Sequence, residues 1–336
     1  MSTSRHPFDP GTLALSHPVL EQAADWFALL RSGHASAQDR LAWQQWLDGS
    51  AEHREAWRHV ERIGTRFTPL QDSPSRDTAV ATYRRVSARG ARARRQLLLG
   101  LLGAAGAGGL GWTTWRHTPL PALALGWTAD HQSGIGETRQ ITLADGTQVW
   151  LRALSAFDVR YGPAQRELRL SSGQMLIDTA SDPDRPFVVQ TRAGRLQALG
   201  TRFTVRQEEE AVLVAVFDGA VRVETADRSD TGIVPAGEQL RFTATRLLPA
   251  AAANPALEAW SHGVLVADGL PLGEVVQELR RYHLGHLGVS PAVAHLRVFG
   301  SLPIHDVPRA LRMMASVLPI RLRQPMAWWI SIDAQA

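Results

Sequence analysis

The chain has 336 residues, enough for two or three domains, and its 44% hydrophobic and 20% charged residues are ordinary globular usage. It contains no cysteine, which excludes disulfides, thiolate metal sites and a cysteine nucleophile while leaving an oxidising compartment open. All 36 basic residues are arginine, the net charge is only +4, and no nucleic-acid-binding module accompanies them, so direct nucleic-acid binding is not expected.

Residues 1–16 are polar and marked by Pro and Gly, which predicts a loose N-terminus. Three short helices follow within 17–63. The first, over 18–31, sets Leu20, Ala23, Ala24, Phe27 and Leu30 on one face, with Pro18 in its first turn and Gly33 ending it. The second takes Ser36 as N-cap with Asp39 three residues on, runs through Leu41, Trp43, Trp46 and Leu47, and stops at Gly49. The third is capped by Ser50 and carries Ala56, Trp57, Val60 and Ile63. Four tryptophans, Trp26, Trp43, Trp46 and Trp57, are more ring surface than a unit of about 50 residues hides by itself. Some form its core, and some are available to anchor a partner.

Residues 64–95 turn polar and then Arg-rich, as suits a linker to a membrane face. Residues 96–115 carry no charge and are long enough to cross a bilayer as a helix, with Leu97, Leu102, Gly106, Gly109 and Trp112 along it. Six glycines make it a weak helix. Arg84, Arg85, Arg89, Arg92, Arg94 and Arg95 precede it and only Arg116 follows closely, so the positive-inside rule predicts a cytoplasmic N-terminus and a translocated C-terminal part. The run begins too late for a cleaved signal peptide. Its Gly content also suits a packed helix of a soluble domain. Residues 106–111 match G-x-G-x-x-G, but no strand precedes and no helix follows, which argues against a dinucleotide site. Arg94 and Arg95, followed by Gln96, Leu97 and Leu98, also look like a twin-arginine export address.

From Trp127 the period becomes 2. A strand at 140–143, a turn at Asp145 and Gly146, and a strand at 148–152 open a series that continues at 157–161, 166–170, 174–178, 187–191, 194–199, 202–206, 211–217, 220–224 and 239–243. This spacing predicts an all-β sandwich or roll over 127–246. Beyond an Ala-rich link the pattern mixes. A strand at 263–267, a helix at 271–282, a strand at 296–300, a helix at 308–318 and a closing pair at 320–323 and 328–332 predict a small α/β module over 258–333, of a size suited to docking.

The order of these parts resembles the FecR-type transmembrane anti-sigma factors and regulators of bacterial cell-surface signalling. The resemblance rests on Ala24, Asp25 and Trp26, on Ser36 to Arg40, and on Trp43, Trp46, Leu47 and His53 to Trp57 in the helical unit. In the β part it rests on 143–147, 199–205, 216–223 and 235–238, and at the C-terminus on 260–263, 270–272 and 274–282. It implies a single-pass inner-membrane protein with a cytoplasmic N-terminus and periplasmic C-terminus. Trp26, Trp43, Trp46 and Trp57 would meet an extracytoplasmic-function sigma factor. Leu272, Val276, Leu279 and Tyr282 would meet a TonB-dependent outer-membrane transducer of iron-siderophore or haem type. The signal would pass through regulated proteolysis, and no cofactor is implied. The alternative is a membrane-anchored periplasmic ligand- or glycan-binding scaffold that binds no sigma factor.

Some members of the family cut their own chain at a Gly-Thr bond like Gly200-Thr201. A threonine hydroxyl can attack the preceding carbonyl, and a glycine there crowds the attack least. A Gly before a strand also serves as a plain bend. Otherwise the chain does not read as an enzyme: no G-x-S-x-G, H-E-x-x-H or P-loop occurs. His283 and His286 lack a third ligand at metal spacing, so no metal is expected.

Overall fold

The computed structural model describes residues 15–71 and 129–335, with side chains of 66–71 excepted. The expected span at 96–115, with Leu97, Leu102, Gly106, Gly109 and Trp112, lies outside the described residues. Among the described residues no helix is long and apolar enough to cross a membrane.

Helices α1 (His17–Arg31), α2 (Ala37–Gly49) and α3 (Ala51–Gln71) make the N-terminal unit. Their starts follow the local chemistry. Ser36 and Asp39 close a reciprocal capping box at α2: the Asp39 amide donates to Ser36 Oγ at 3.1 Å and the Ser36 amide to Asp39 Oδ2 at 2.8 Å. The Ser36 hydroxyl, which donates to Asp39 Oδ2 at 2.7 Å, and then the Ser36 amide hold the Asp39 carboxyl below the usual carboxylate range. Ser50 caps α3 by accepting from the His53 amide at 3.0 Å. α3 continues to Gln71, two turns past Ile63 and into what the sequence presents as linker. Ala23, Ala24, Phe27, Ala56 and Val60 form the unit's core.

The all-β part has fourteen strands: β1 (His131–Gln132), β2 (Arg139–Thr142), β3 (Gln148–Leu151), β4 (Ala156–Tyr161), β5 (Arg166–Ser172), β6 (Gln174–Asp178), β7 (Phe187–Gln190), β8 (Gly194–Ala198), β9 (Arg202–Gln207), β10 (Val212–Asp218), β11 (Ala220–Thr225), β12 (Thr231–Pro235), β13 (Glu238–Phe242) and β14 (Ala251–Ala252). They form two seven-stranded sheets, ordered β1-β4-β5-β7-β8-β11-β12 and β14-β13-β10-β9-β6-β3-β2. Their inward side chains, among them Phe157, Leu168, Phe187, Phe203 and Val214, make one shared core. All pairs are antiparallel except β5 with β7.

The C-terminal module has α4 (Ala256–Ala259), β15 (Val264–Pro271), α5 (Leu272–Leu279), β16 (His286–Val289), β17 (Arg297–Pro303), α6 (Val307–Ala315), β18 (Ile320–Met326) and β19 (Trp329–Ala334). β15 pairs with β17, and β16-β19-β18 form a second small sheet. The module packs on the sandwich: Ala153 and Leu176 join its core, and Arg152 reaches across to Glu278 at 2.8 Å.

Candidate functional site

Two places bring together residues with a case for function. The first is the helical unit. Trp26, Trp43, Trp46 and Trp57 are all half-buried, which is the division between core and surface that their number requires. Trp57 packs on Phe27 and Trp43, with ring centroids 5.8 Å and 4.9 Å apart. Trp46 stacks on His53 at 4.5 Å and donates its Nε1 to Gln22 at 2.9 Å. Trp43 Nε1 is shut off from solvent yet has no hydrogen-bond partner, which costs stability.

Helix α2 buries none of its residues fully. Leu41, one of the apolar residues along α2, is 60% exposed. An open groove of about 570 Å³ lies between α1 and α3, lined by Phe27, Leu30 and Trp57 together with Arg31, Arg58, Glu61, Arg62 and Thr65.

The second place is the Gly200-Thr201 bond. β8 lies in one sheet and β9 in the other, so Leu199, Gly200 and Thr201 carry the chain across the edge of the sandwich. Gly200 does so with φ +78°, in the left-handed region that favours glycine. The crossover from β10 to β11 passes alongside: Gly219, at φ +74°, approaches so closely that a Cβ there would stand 2.1 Å from the Gly200 carbonyl oxygen.

Thr201 is buried, and its Oγ1 has no hydrogen-bond partner. Its amide donates to Thr179 Oγ1 at 2.8 Å, and its carbonyl accepts from the Thr179 amide at 3.1 Å. The peptide is therefore held from its C-terminal side, while the one hydroxyl able to attack the Gly200 carbonyl is bound to nothing.

The transducer-contact residues expected from the resemblance sit elsewhere than on a surface. Leu272, Val276 and Leu279 are completely buried and Tyr282 is 8% exposed, all in the module's core. The apolar stripe of α5 packs against β15, β16 and β17, so it is covered by both small sheets of the module. His286 lies in β16, a strand too short to stand out in the sequence, and stacks on Trp329 with centroids 3.7 Å apart. Burial, with His59 and Arg280 nearby, pushes its pKa down to about 3, so the ring is neutral at physiological pH. Among the described residues no group of three or more His, Asp or Glu stands at metal-binding distance.

One contact was not legible in the sequence. β18 and β19 pack against α1, and Glu21, only 4% exposed, accepts from Trp329 Nε1 at 3.1 Å and from Ser331 Oγ at 2.7 Å.

Residues 129–222 match the family model described as FecR protein, and residues 21–63 match domain of unknown function DUF4880. The chain thus carries a FecR domain preceded by the N-terminal region of FecR-type proteins. Two crystal structures of proteins from Parabacteroides distasonis ATCC 8503, provisionally assigned as anti-sigma factors, share the fold. One is 23% identical with TM-score 0.51, covering 61% of this chain and 98% of its own; the other is 24% identical with TM-score 0.50, covering 61% and 99%. No curated protein matches.

Proposed function

We propose that this chain is an anti-sigma regulator of the cell-surface signalling type, and that its helical unit binds an extracytoplasmic-function sigma factor. The observation that carries this reading is the incompletely covered aromatic surface of α2 and α3 in a unit matched by DUF4880 and joined to a FecR domain. In this reading the protein sits in the bacterial inner membrane, with residues 96–115 as the single span and the Arg-rich segment before it on anionic lipid. The sandwich and the C-terminal module lie in the periplasm, where a TonB-dependent transducer signals to them, and proteolysis relays the signal. Gly200-Thr201 is the point of self-cleavage: the Thr201 hydroxyl adds to the Gly200 carbonyl, the Thr201 amide nitrogen leaves as the free amine with the hydroxyl proton, and water hydrolyses the resulting ester to a Gly200 carboxylate and the Thr201 hydroxyl, a route supported by the left-handed glycine and the unbonded Thr201 hydroxyl.

Leu41→Asp combined with Trp46→Ala changes exposed and half-exposed positions and leaves Phe27, Trp43 and Trp57 to hold the unit. Co-purification with an extracytoplasmic-function sigma factor of the same cell should fall at least tenfold while the circular dichroism of the helices is unchanged. Undiminished co-purification refutes the assigned face. For the bond, the full chain should run as two fragments on a denaturing gel and Thr201→Ala as one; an intact wild-type band removes self-cleavage from the reading.

A further inference from the structure

The residue that follows β6 grips the peptide on the C-terminal side of Gly200. Thr179 is half-buried. Its Oγ1 accepts from the Thr201 amide at 2.8 Å, while that same Oγ1 and the Thr179 amide both donate to the Thr201 carbonyl at 3.1 Å. A hydroxyl has one proton and two lone pairs; with the proton given to the Thr201 carbonyl, a lone pair faces the Thr201 nitrogen. The next residue is held from the same strand end. Arg202 pairs with Asp178 at 3.3 Å and with Glu258 at 3.1 Å, and its guanidinium lies 5.1 Å from the Trp150 ring centre. Before the bond, the Leu199 amide donates to the Ala220 carbonyl at 3.0 Å. Within this grip Thr201 Oγ1 alone is buried without a partner, so no hydrogen bond has to break before it moves.

We propose that Thr179 is a second catalytic residue of the cleavage, an acceptor aimed at the nitrogen that leaves. This role rests on the self-cleavage reading above. An amide nitrogen departs only after it has given up conjugation with its carbonyl and gained a proton. In that step the bond from Thr201 Oγ1 to the Gly200 carbonyl carbon forms, the C–N bond breaks, and the Thr201 hydroxyl proton ends on nitrogen. Thr179 keeps its own proton. Positive character grows on the nitrogen as the proton arrives, and a donor that turns cationic makes a shorter and stronger hydrogen bond. The bond to Thr179 Oγ1 is therefore stronger in the transition state than in the intact peptide, which is the condition for speeding the step. The two bonds to the Thr201 carbonyl keep the backbone in place while the side chain turns toward Gly200, so attacking and leaving atoms stay aligned.

The full chain is made by cell-free translation in the presence of phospholipid vesicles, and the appearance of two fragments is followed on a denaturing gel. Thr179→Val keeps the shape and loses the acceptor; it should cleave at least about tenfold more slowly than the wild type, and Thr179→Ser should stay within about threefold of it. Hydroxylamine, which splits esters, should not restore Thr179→Val, because the slowed step precedes the ester. Limited trypsin digestion, compared with that of the uncleavable Thr201→Val, reports whether the variant has folded. If valine unfolds the sandwich, Thr179→Cys, a weaker acceptor, is used and should be slow in the same way. Fragments forming equally fast from the wild type and from a folded Thr179→Val overturn the role of Thr179 alone. So does a Thr179→Ser as slow as valine, or a rescue by hydroxylamine. A wild-type chain that stays intact overturns the self-cleavage reading and this role with it.

Discussion

Replacing Asp145 by Asn should destabilise the folded chain by about 3 kcal/mol, the effect of leaving a buried arginine without its carboxylate. Asp145 and Gly146 form the turn between β2 and β3, and Gly146 takes φ +89° there. The Asp145 carboxylate accepts from the Thr147 amide at 3.1 Å, Thr147 Oγ1 at 2.7 Å, Tyr161 OH at 3.0 Å and Arg166 Nη1 at 2.8 Å. Arg166, also buried, goes on to the Ala180 and Arg185 carbonyls. One acid thus ties the β2-β3 turn to β4, β5 and the loop before β7. Asn keeps the shape and loses the charge, and Asp182, 3.9 Å from Arg166, is too distant to replace it fully.

For a folded body of 150–250 residues the loss corresponds to a fall in Tm of about 10 °C. Burial pushes the Asp145 carboxyl up, but the bonds from Thr147 and Arg166 outweigh it and its pKa is lowered overall. A carboxyl depressed in the folded state contributes stability that is present above its unfolded value, about 3.9, and is lost as pH falls through the lower folded value. The wild type should therefore lose stability below pH 4 more steeply than Asp145→Asn. Equal melting temperatures for the two proteins at pH 7 would refute this role.

That turn was legible in the sequence, and so were most strands of the sandwich, because alternation and a D-G turn are local signals. β6 falls on residues 174–178 as its pattern predicts. β12 was not legible: it is an edge strand paired only with β11, contains Gly232 and Pro235, and buries a single apolar side chain, Val234. β16 has four residues, one of them Gly288, and owes its place to parallel pairing with β19, some forty residues away.

The candidate sites divide in the same way. Half-burial of the four tryptophans follows from counting ring surface against unit size. The exposure of Leu41 and the burial of Leu272, Val276 and Leu279 do not, since an apolar stripe looks the same whether it faces its own core or a partner. The contacts of Glu21 with Trp329 and Ser331 join residues 308 and 310 positions apart, and no local pattern pairs an acid at 21 with a serine at 331.

The two glycines at the sandwich edge should respond unequally to the same substitution. Both have a left-handed backbone, φ +78° at Gly200 and +74° at Gly219, so alanine pays a conformational cost of about 1 kcal/mol at either. At Gly200 a Cβ meets nothing within 4 Å, and the cost ends there. At Gly219 the new Cβ would stand 2.1 Å from the Gly200 carbonyl oxygen and 2.8 Å from Thr201 Cγ2. The first contact is with backbone, so relief requires one crossover to move off the other. The Leu199 amide, which donates to the Ala220 carbonyl at 3.0 Å, and the Ala236 amide, which donates to Gly219 at 2.9 Å, both resist that movement. Overpacking of this kind adds about 1–3 kcal/mol, so Gly219→Ala should lose about 3 kcal/mol against about 1 for Gly200→Ala. Chemical denaturation of the two variants, each carrying Thr201→Val, which lacks the hydroxyl but keeps a γ-methyl beside Gly219, reads the difference directly. Equal losses would mean that the crossovers do not brace each other. If the proposed cut at Gly200-Thr201 occurs, Gly219→Ala with Thr201 restored should also slow it, because the carbonyl that its Cβ displaces is the one the Thr201 hydroxyl must reach.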